Sequence, residues 1–406
     1  MRQIIKIAWR NVWRNKLRSF IVIASMVLGL WSGLFSASMM SALNNQRINS
    51  AIKSQLSHLQ IHHPSFQDNY DIKYQINGLN KVLKALDENK KVNSYSARIV
   101  LSGMASTARG ATGVKLIGAD HTNEKNITDI HSHIVKGTYF SGGTSRQAVI
   151  GQELAEKLKL DIKKSIYLTF VNEDGSQERL KLKVVGIFKS GNSIFDGSHM
   201  FAQKDYLDKI FGKEDIIHEI ALVSNDINQA KELKDELLKA FPDNEIELWS
   251  EISPELGYAN EMLSFFLYIF MTIILIALSF GIINTMLMAI LERKRELGVL
   301  MSVGLNKSKI FLMIALETLF ISIVSVPLGV FLSYVTISYF GDVGIDLSMV
   351  EEGLEQFGMG TRLYTELYLD YYINITLLTF LLTFISSLFP ARRALKLEPA
   401  VAVRSI

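Results

Sequence analysis

The sequence predicts a membrane protein in which four transmembrane α-helices carry one large α+β domain outside the membrane. Three observations lead to this fold class: four long apolar stretches, basic residues gathered on one side of them, and alternating strand-like and helix-like patterns over about half the chain. The composition agrees, since 49% of the 406 residues are hydrophobic and 20% are charged. Such a chain is too apolar to lie wholly in water and too polar to lie wholly in a bilayer.

Four spans are predicted, each with enough apolar residues to cross a bilayer. They cover residues 19–43, 262–291, 310–340 and 370–390. A signal peptide is the alternative for the first, but its apolar run is long and follows a basic amphipathic stretch, so we predict an uncleaved span. The second and third would reach about 45 Å at about 1.5 Å per residue, beyond a hydrocarbon core of about 30 Å. We therefore expect these two helices to tilt or to project from the membrane.

The distribution of basic residues predicts the orientation, because lysine and arginine are enriched in cytoplasmic loops. They cluster before the first span, between the second and third, and after the fourth: Arg2, Lys6, Arg10, Arg14, Lys16, Arg18; Arg293, Lys294, Arg295, Lys307, Lys309; Arg392, Arg393, Lys396 and Arg404. The loop 341–369 is instead acidic, with Arg362 as its one basic residue. Segments 1–18, 292–309 and 391–406 are therefore predicted to be cytoplasmic, and 44–261 and 341–369 to lie outside.

The outer segment 44–261 is predicted to be an α+β domain. Its middle portion, about 108–198, is richer in strand patterns, and Asp174-Gly175 predicts a hairpin turn between two of its strands. The flanks contain clearer helical patterns at 203–211 and 229–241. We infer two subdomains, with the middle one inserted into the sequence of the other.

Few catalytic motifs are available to this chain. It has no Gly-x-x-x-x-Gly-Lys-Ser/Thr loop for ATP and no Gly-x-Ser-x-Gly elbow. Its lack of cysteine excludes disulfides, thiolate metal sites and a cysteine nucleophile. A metal site among His58, His62, His63, His131 and His133 is conceivable, but solvated or hydrogen-bonded histidines are the favoured interpretation. We predict no enzyme activity, no metal and no cofactor on this chain, and no nucleic-acid partner.

Two polar side chains inside the predicted spans are candidates for a special role. Glu317 is the one charged residue away from the ends of the spans, and such residues are costly enough in a bilayer to be functional candidates. A packing or gating role is favoured for it, with a proton relay as the alternative. Asn284 is predicted to form a hydrogen bond between helices.

Two of the predicted cytoplasmic segments have apolar residues at positions that a simple solvated loop would not require. In the leading segment, apolar residues repeat at helical spacing opposite basic ones, which predicts an interfacial helix. Its apolar positions are Ile4, Ile5, Ala8, Trp9, Val12 and Trp13. In segment 291–310, positive charge at a membrane surface explains the basic residues but not Val299, Leu300, Met301 and Val303. A short helix that offers a face to a cytoplasmic partner explains both.

These segments resemble the four-span ABC-transporter permeases that include LolC, LolE, MacB and FtsX. The matching stretches are the opening AWRNVWRNKLRSF, the block ERKRELGVLMSVGLNKSKI, the stretch ALETLFISIVSVPLG with Glu317, and the ending FPARRALKLEPAVAVRSI. In that ending, the closing motif of the family falls on Pro390, Ala394, Pro399, Ala402 and Arg404. The resemblance covers nearly the whole chain.

The resemblance implies a coupling helix in the loop between the second and third spans, docked on an ATPase. Its residues here would be Glu292, Arg293, Lys294, Arg295, Glu296, Leu297, Gly298, Val299 and Gly304. It also implies an outer domain with a porter-like part and an inserted sabre-like part, and a dimer of permeases with two ATPase subunits that bind ATP and Mg²⁺. The second permease could be a copy or a paralogue. The location implied is the bacterial inner membrane, with the outer domain in the periplasm and mechanotransmission as the working principle.

Within this group, residues 184–203 resemble the lipoprotein-releasing type through Gly186, Ile187, Phe188, Gly191 and Asp196. That implies lipoprotein cargo drawn from membrane lipids, a periplasmic carrier, and a substrate entrance between the first two spans. The entrance residues would be Leu34, Met39, Met40, Met262, Phe265, Phe266 and Ile269, for which ordinary lipid-facing or packing roles are the alternative. Two other functions stay open: MacB-like export of peptides or amphiphiles, and FtsX-like regulation of a periplasmic cell-wall hydrolase without transport.

Overall fold

The computed structural model describes residues 2–140, 146–212, 216–355 and 359–395. They divide into two compact units. The helical unit contains the residues up to Leu43, Glu261–Asp346, and the residues from Arg362 onward. The outer unit contains Asn44–Asn260 and Leu347–Thr361.

Helices occur in both units. In chain order they are α1 (Arg2–Arg14), α2 (Lys16–Ala51), α3 (Phe66–Asn69), α4 (Leu79–Glu88), α5 (His121–Glu124), α6 (Gln152–Lys157), α7 (Ser193–Ser198), α8 (Lys204–Phe211), α9 (Ala230–Ala240), α10 (Trp249–Ile252), α11 (Pro254–Glu292), α12 (Lys294–Ser302), α13 (Lys307–Val343), α14 (Glu351–Glu355) and α15 (Leu369–Ala394). A π-helical turn at Ile52–Leu56 follows α2 directly. Short 3₁₀ turns occupy Ile130–Ser132, Ile227–Gln229 and Ser348–Val350.

Within the described ranges, four helices are long and apolar enough to cross a membrane: α2 with its π turn, α11, α13 and α15. Each contains one of the predicted spans and extends beyond it. Pro254 opens α11 eight residues before the predicted span, at the helix position where proline's missing N–H costs nothing. Asn306 caps α13, because its side-chain oxygen accepts a hydrogen bond from the Ser308 N–H at 3.2 Å. α2 and α11 each contain residues of both units.

The helical unit has its own apolar interior. Ala8 and Val12 of α1 are buried there with residues of every long helix: Leu30, Leu34, Met271, Met286, Ile310, Ile321 and Ile375. A Cβ atom placed on Gly329 of α13 would lie 3.4 Å from the Val27 Cα, so α2 and α13 pass each other closely. The Trp31 indole N–H also joins these helices, because it donates to the Thr336 hydroxyl at 2.9 Å.

Strands are confined to the outer unit, apart from one short pair. In chain order they are β1 (Leu59–His62), β2 (Val92–Thr107), β3 (Gly110–Ala119), β4 (Ile134–Gly137), β5 (Gln147–Gly151), β6 (Ser165–Val171), β7 (Gln177–Phe188), β8 (His199–Gln203), β9 (Glu219–Ser224), β10 (Glu245–Leu248), β11 (Ile345–Asp346) and β12 (Arg362–Leu363). β11 pairs with β12 in the helical unit. The predicted hairpin is confirmed, since β6 and β7 pair antiparallel on either side of Gly175. Gly175 has a φ of 82°, which glycine adopts readily because it has no Cβ atom.

The outer strands form one mixed sheet in the order β10-β1-β9-β2-β3-β8-β5-β7-β4, with β6 paired to β2 and β7. The long strand β2 holds the sheet together: its first half pairs with β9, and its second half pairs with β3 and β6. Side chains from both parts, such as Leu59, Leu101 and Leu182, belong to one apolar core. The domain is α+β, as predicted. The inserted subdomain at about 108–198 stays a prediction, because its strands share this sheet and core with the flanking segments.

Candidate functional site

The segment between the second and third spanning helices forms the short helix α12. Helix α11 ends at Glu292, Arg293 precedes α12, and Gly304 follows it with a φ of 94°. At that dihedral the chain can turn back, and the Leu305 N–H donates to the Leu300 carbonyl oxygen at 3.0 Å. Of the residues predicted for a coupling helix, 294–299 are therefore helical, Glu292 ends α11, and Arg293 and Gly304 flank α12. The segment lies between two long helices.

α12 has one buried face and one exposed face. Leu297 and Gly298 are buried. Arg295, Val299 and Val303 follow one another at four-residue spacing on the exposed side, where Val299 is 46% and Val303 is 83% exposed. Exposed valines at such spacing contribute nothing to the core of this chain. They provide a small apolar surface next to a basic residue.

Glu317 lies against the beginning of α12, inside the helical unit. Both of its carboxylate oxygens accept a hydrogen bond from the Arg293 Nη1 at 3.1 Å, and Oε1 accepts another from the Asn11 Nδ2 at 2.6 Å. The Arg293 and Glu317 side chains are only 11% and 7% exposed. A paired and hydrogen-bonded charge avoids the large cost of an isolated one. These contacts are consistent with the packing role favoured for Glu317. Through them, Glu317 of α13 connects to α1 and to the beginning of α12.

A second layer of ion pairs surrounds Glu317. Glu296 accepts from Arg14 at 2.7 Å and from Arg293 at 3.2 Å, while Glu292 accepts from Arg18 at 2.8 Å. Burial alone would raise the pKa of Glu296, but the hydrogen bonds from Arg14 and Arg293 outweigh it and lower that pKa. We call this set the polar network: Asn11, Arg14, Arg18, Glu292, Arg293, Glu296 and Glu317.

The sequence singled out four members of the polar network as site residues, but not the roles of Asn11 and Arg14 on α1 or of Arg18 at the start of α2. Asn11 could have been recognised, because it shares the otherwise apolar face of Ile4, Ala8 and Val12. A polar residue on a buried helix face needs a partner. The partner itself could not be read from the pattern, because it is 306 positions away.

The predicted entrance residues occupy different environments. Leu34 is fully buried in the interior of the helical unit, so it does not line an open surface in this structure. Met39 is half-buried, and the other five are exposed on α2 or α11: Met40, Met262, Phe265, Phe266 and Ile269. Their role as an entrance stays a prediction. Asn284 is also exposed, and its side chain forms no hydrogen bond with any described residue, so the expected bond between helices is not formed among them.

The histidines considered for a metal site have other partners. His62 is buried, and its Nε2 lies 2.8 Å from the Glu247 Oε2, while the Nδ1 of His58 lies 2.8 Å from the Ser224 hydroxyl. His63 stacks on Tyr74, and the His131 ring lies edge-on to Tyr139. The described part of the chain contains no group of three or more histidine or acidic side chains arranged to hold a metal ion.

The residues that resemble lipoprotein-releasing permeases build a tight connection after β7. Asp196 is buried and accepts the Ser190 backbone N–H at 3.1 Å and the Ser190 hydroxyl at 2.6 Å. Burial raises the pKa of Asp196 to about 6, although the Ser190 hydrogen bonds act against it. Gly191 has a φ of 81°, and Phe188 is buried. The motif therefore stabilises the loop between β7 and α7. In the closing motif, Pro390 and Ala394 are buried on α15, while Pro399, Ala402 and Arg404 lie outside the described residues.

Comparison with known families covers both halves of the chain. Residues 19–240 match the MacB-like periplasmic core domain, and residues 268–399 match the FtsX-like permease C-terminal family.

Several curated proteins are similar in sequence. The lipoprotein-releasing system transmembrane protein LolC of Buchnera aphidicola is 27% identical over 231 residues, which cover 55% of this chain and 56% of the relative. LolC of Haemophilus influenzae is 24% identical over 304 residues, 73% of this chain and 74% of the relative. The pyoverdine export ATP-binding/permease protein PvdT of Pseudomonas syringae pv. tomato is 24% identical over 246 residues, 55% of this chain and 37% of the relative. The chain thus spans about half the length of the first of these relatives.

Four apolar helices and a large extracytoplasmic α+β domain define a multi-pass membrane protein with a periplasmic-type domain. With the two family matches, the class is that of ABC-transporter permeases. The chain belongs to the permease superfamily of LolC, MacB and FtsX, through a MacB-like periplasmic core domain and an FtsX-like C-terminal part.

Proposed function

We propose that this chain is the permease subunit of an ABC transporter whose ATP hydrolysis is carried out by a separate ATPase subunit that binds ATP and Mg²⁺. The superfamily membership supports this proposal, and so does the absence of a P-loop motif from these 406 residues. In this proposal the chain is itself no enzyme. It forms a dimer with a copy or a paralogue, and two ATPase subunits bind the pair.

The observation that carries the proposal is the exposed face of α12. Val299 and Val303 lie on the surface beside Arg295, where exposed apolar side chains on a charged helix are suited to a protein partner. Behind this face, the buried pair of Arg293 and Glu317 joins α12 to α13. A push on α12 would therefore move α13 with it, because separating a buried ion pair is costly. α11 and α13 are both long helices, suited to carrying such a movement across the membrane.

The test of docking is the double variant Val299→Asp/Val303→Asp, made in the full chain. Both side chains are exposed, so the substitutions leave the core intact, while two carboxylates in a desolvated apolar contact weaken binding. We expect at least tenfold weaker capture of the ATPase subunit from the native membrane, measured by quantitative mass spectrometry. Met349→Asp is the matched control, because Met349 is 98% exposed and lies in the loop predicted to face outside. Equal capture by the double variant and the control would contradict docking at α12.

For the cargo we propose lipoproteins, extracted from the inner membrane and passed to a periplasmic carrier. The similarity to two LolC proteins supports this, as do the exposed methionine and phenylalanine side chains of the entrance, which suit acyl chains. Phe265→Ser/Phe266→Ser should reduce the acylated protein that co-purifies with the permease. Phe331→Ser is the control, since Phe331 is 66% exposed on α13, which contributes no residue to the proposed entrance. Acylated proteins bound equally by all three chains would exclude this entrance.

A second candidate is export of a peptide or small amphiphile. The similarity to PvdT and the MacB-like match support it. In that case the same purification would recover a small amphiphile and no acylated protein. Recovery of a cell-wall hydrolase, with neither acylated protein nor amphiphile, would favour a regulator of the FtsX-like kind.

A further inference from the structure

Helix α1 presents a basic stripe opposite its buried face. Arg2, Lys6, Arg10 and Arg14 follow one another at four-residue spacing, and α1 contains no acidic residue. Arg14 pairs with Glu296. The other three are exposed, and no described residue forms an ion pair with any of them. Three positive charges on one helix face are therefore available to a partner outside the chain.

An apolar stripe runs beside the basic one. Ile5, Trp9 and Trp13, also at four-residue spacing, are each more than 40% exposed. They lie between the basic stripe and the buried residues Ala8 and Val12. The Trp9 ring packs edge-on against the ring of Phe320 on α13, with 5.4 Å between the ring centroids. This contact holds the indole in place. The exposed apolar surface continues past α1 in Leu17 and Phe20, at the start of the first spanning helix.

This combination is suited to a membrane surface. A helix with tryptophan on one stripe and lysine and arginine on the next lies in the interface, with the rings at headgroup level and the charges toward anionic lipid. A protein partner fits less well, because exposed apolar side chains follow along the chain at Leu17 and Phe20, and Phe20 lies within the predicted first span. We propose that α1 binds anionic phospholipid headgroups through Arg2, Lys6 and Arg10, and that this binding is linked to the state of α12.

The polar network provides the link. Asn11 and Arg14 extend from α1 to Glu317 and Glu296, so a movement of α1 against the membrane changes contacts that also hold α12. If lipid binding biases the position of α12, then whatever binds α12 must bias lipid binding equally, because coupling between two sites is reciprocal. This part rests on the proposed function, in which α12 is the ATPase docking helix. The lipid surface itself does not depend on it.

The first experiment measures hydrogen exchange of the purified full chain in nanodiscs without any ATPase. The probe is the lipid composition, either pure phosphatidylcholine or an equal mixture with phosphatidylglycerol. We expect slower exchange of the α1 amides in the mixture, and loss of that difference in Lys6→Gln/Arg10→Gln. Each basic residue near an anionic surface strengthens binding about fivefold, so the double variant should bind about twenty-five-fold more weakly. High salt should reduce the difference as well.

The matched control is Arg392→Gln/Arg393→Gln, which removes the same charge from exposed positions at the end of α15. It should leave the lipid dependence of α1 unchanged. The proposal is overturned if the exchange rates of the α1 amides are the same with and without phosphatidylglycerol. It is also overturned if both double variants show the same change in those rates.

The second experiment tests the link with the variant Asn11→Leu/Arg14→Gln. In the unaltered chain, phosphatidylglycerol should also change the exchange of 294–302. In the variant, the lipid effect on residues 2–10 should persist while the effect on 294–302 is lost. A lipid effect at α12 that survives the variant overturns the link. Because neither measurement uses an ATPase, a failure here is distinguishable from a failure of the docking proposal.

Discussion

At the scale of single residues, Glu317 illustrates how a charge is tolerated in an apolar helix. Its carboxylate accepts hydrogen bonds from Asn11 of α1 and from Arg293, the residue that caps the beginning of α12. A buried pair of this kind contributes little net stability compared with apolar residues of similar size, but removal of one partner is costly. The pair therefore favours one particular arrangement of α1, α12 and α13.

This asymmetry gives the first prediction. Glu317→Leu removes the buried counter-charge of Arg293, leaves its guanidinium only the half-exposed Glu296 at 3.2 Å, and should lower the free energy of unfolding by about 3 kcal/mol. Arg293→Met/Glu317→Leu removes both charges and should restore most of that loss. Thermal unfolding in detergent measures both, together with ATPase stimulation in the reconstituted complex. If the double variant is as unstable as the single one, the two charges are not energetically paired.

His62 gives a prediction about pH. Burial alone would lower the pKa of His62, but the hydrogen bond and charge of Glu247, with Glu219 nearby, outweigh it and raise the pKa above its ordinary value. Protonated His62 thus stabilises the outer unit fully below its unfolded pKa of about 6.5, and this contribution is lost as pH rises through the higher folded value.

The measurement compares the stability of the unaltered chain with that of His62→Gln from pH 5 to pH 9. The difference between them should be largest at the acid end and should shrink above about pH 6.5. Comparing the two chains cancels the opposite effect of His218, whose pKa burial lowers to about 4. A constant difference across this range would show that His62 does not titrate against Glu247.

At the scale of elements, the spanning helices depend on glycine where backbones approach closely. Gly329 of α13 faces α2, where a Cβ would lie 3.1 Å from the Leu30 Cδ2 and 3.4 Å from the Val27 Cα. Small residues at helix contacts let van der Waals packing act over a short distance in the bilayer. α2 and α13 therefore have little room for a larger side chain at this point.

Gly329→Leu should destabilise the helical unit by about 1–3 kcal/mol, because the added side chain overpacks the contact. Gly281→Leu is the control, since a Cβ at Gly281 meets nothing within 4 Å. The control should be neutral or slightly stabilising, because leucine favours a helix over glycine by up to about 1 kcal/mol. Thermal unfolding in detergent compares the two, and equal melting temperatures would argue against a close contact of α2 and α13.

At the scale of the whole molecule, the proposed orientation can be tested directly, because the chain contains no cysteine. Single cysteines can be introduced without first removing any others. Met349→Cys should react with a membrane-impermeant maleimide added outside intact cells, and Val303→Cys should react only after the membrane is opened. Both positions are highly exposed, at 98% and 83%. The reverse labelling pattern would invert the topology and with it the docking proposal.

Much of the helical part could be predicted because its signals are local. A run of apolar residues determines a spanning helix wherever it occurs, and each predicted span lies inside a helix of the structure. The helices extend beyond the predicted spans, since α2 continues to Ala51 and α11 begins at Pro254. The length of an apolar run indicates which residues lie in the hydrocarbon core. The helix itself can continue into water for as long as its backbone hydrogen bonds are formed.

The outer domain was predictable in class but not in topology. Strand and turn patterns predicted the hairpin of β6 and β7, whose partners are adjacent in sequence. They could not predict that β1 lies between β10 and β9. Alternation of side chains determines which face of a strand is buried, but it does not specify a distant pairing partner.

The sequence by itself determined the four spanning helices, the chemical exclusions, and the suspicion attached to Glu317 and to the helix after the second span. These follow from composition and spacing within short windows. Only the tertiary structure decided that Asn11 meets Glu317 and that Arg14 meets Glu296, because these contacts join residues 306 and 282 positions apart. A charged residue in an apolar helix can be recognised from the sequence as one that needs a partner. Which residue that partner is depends on how the helices pack.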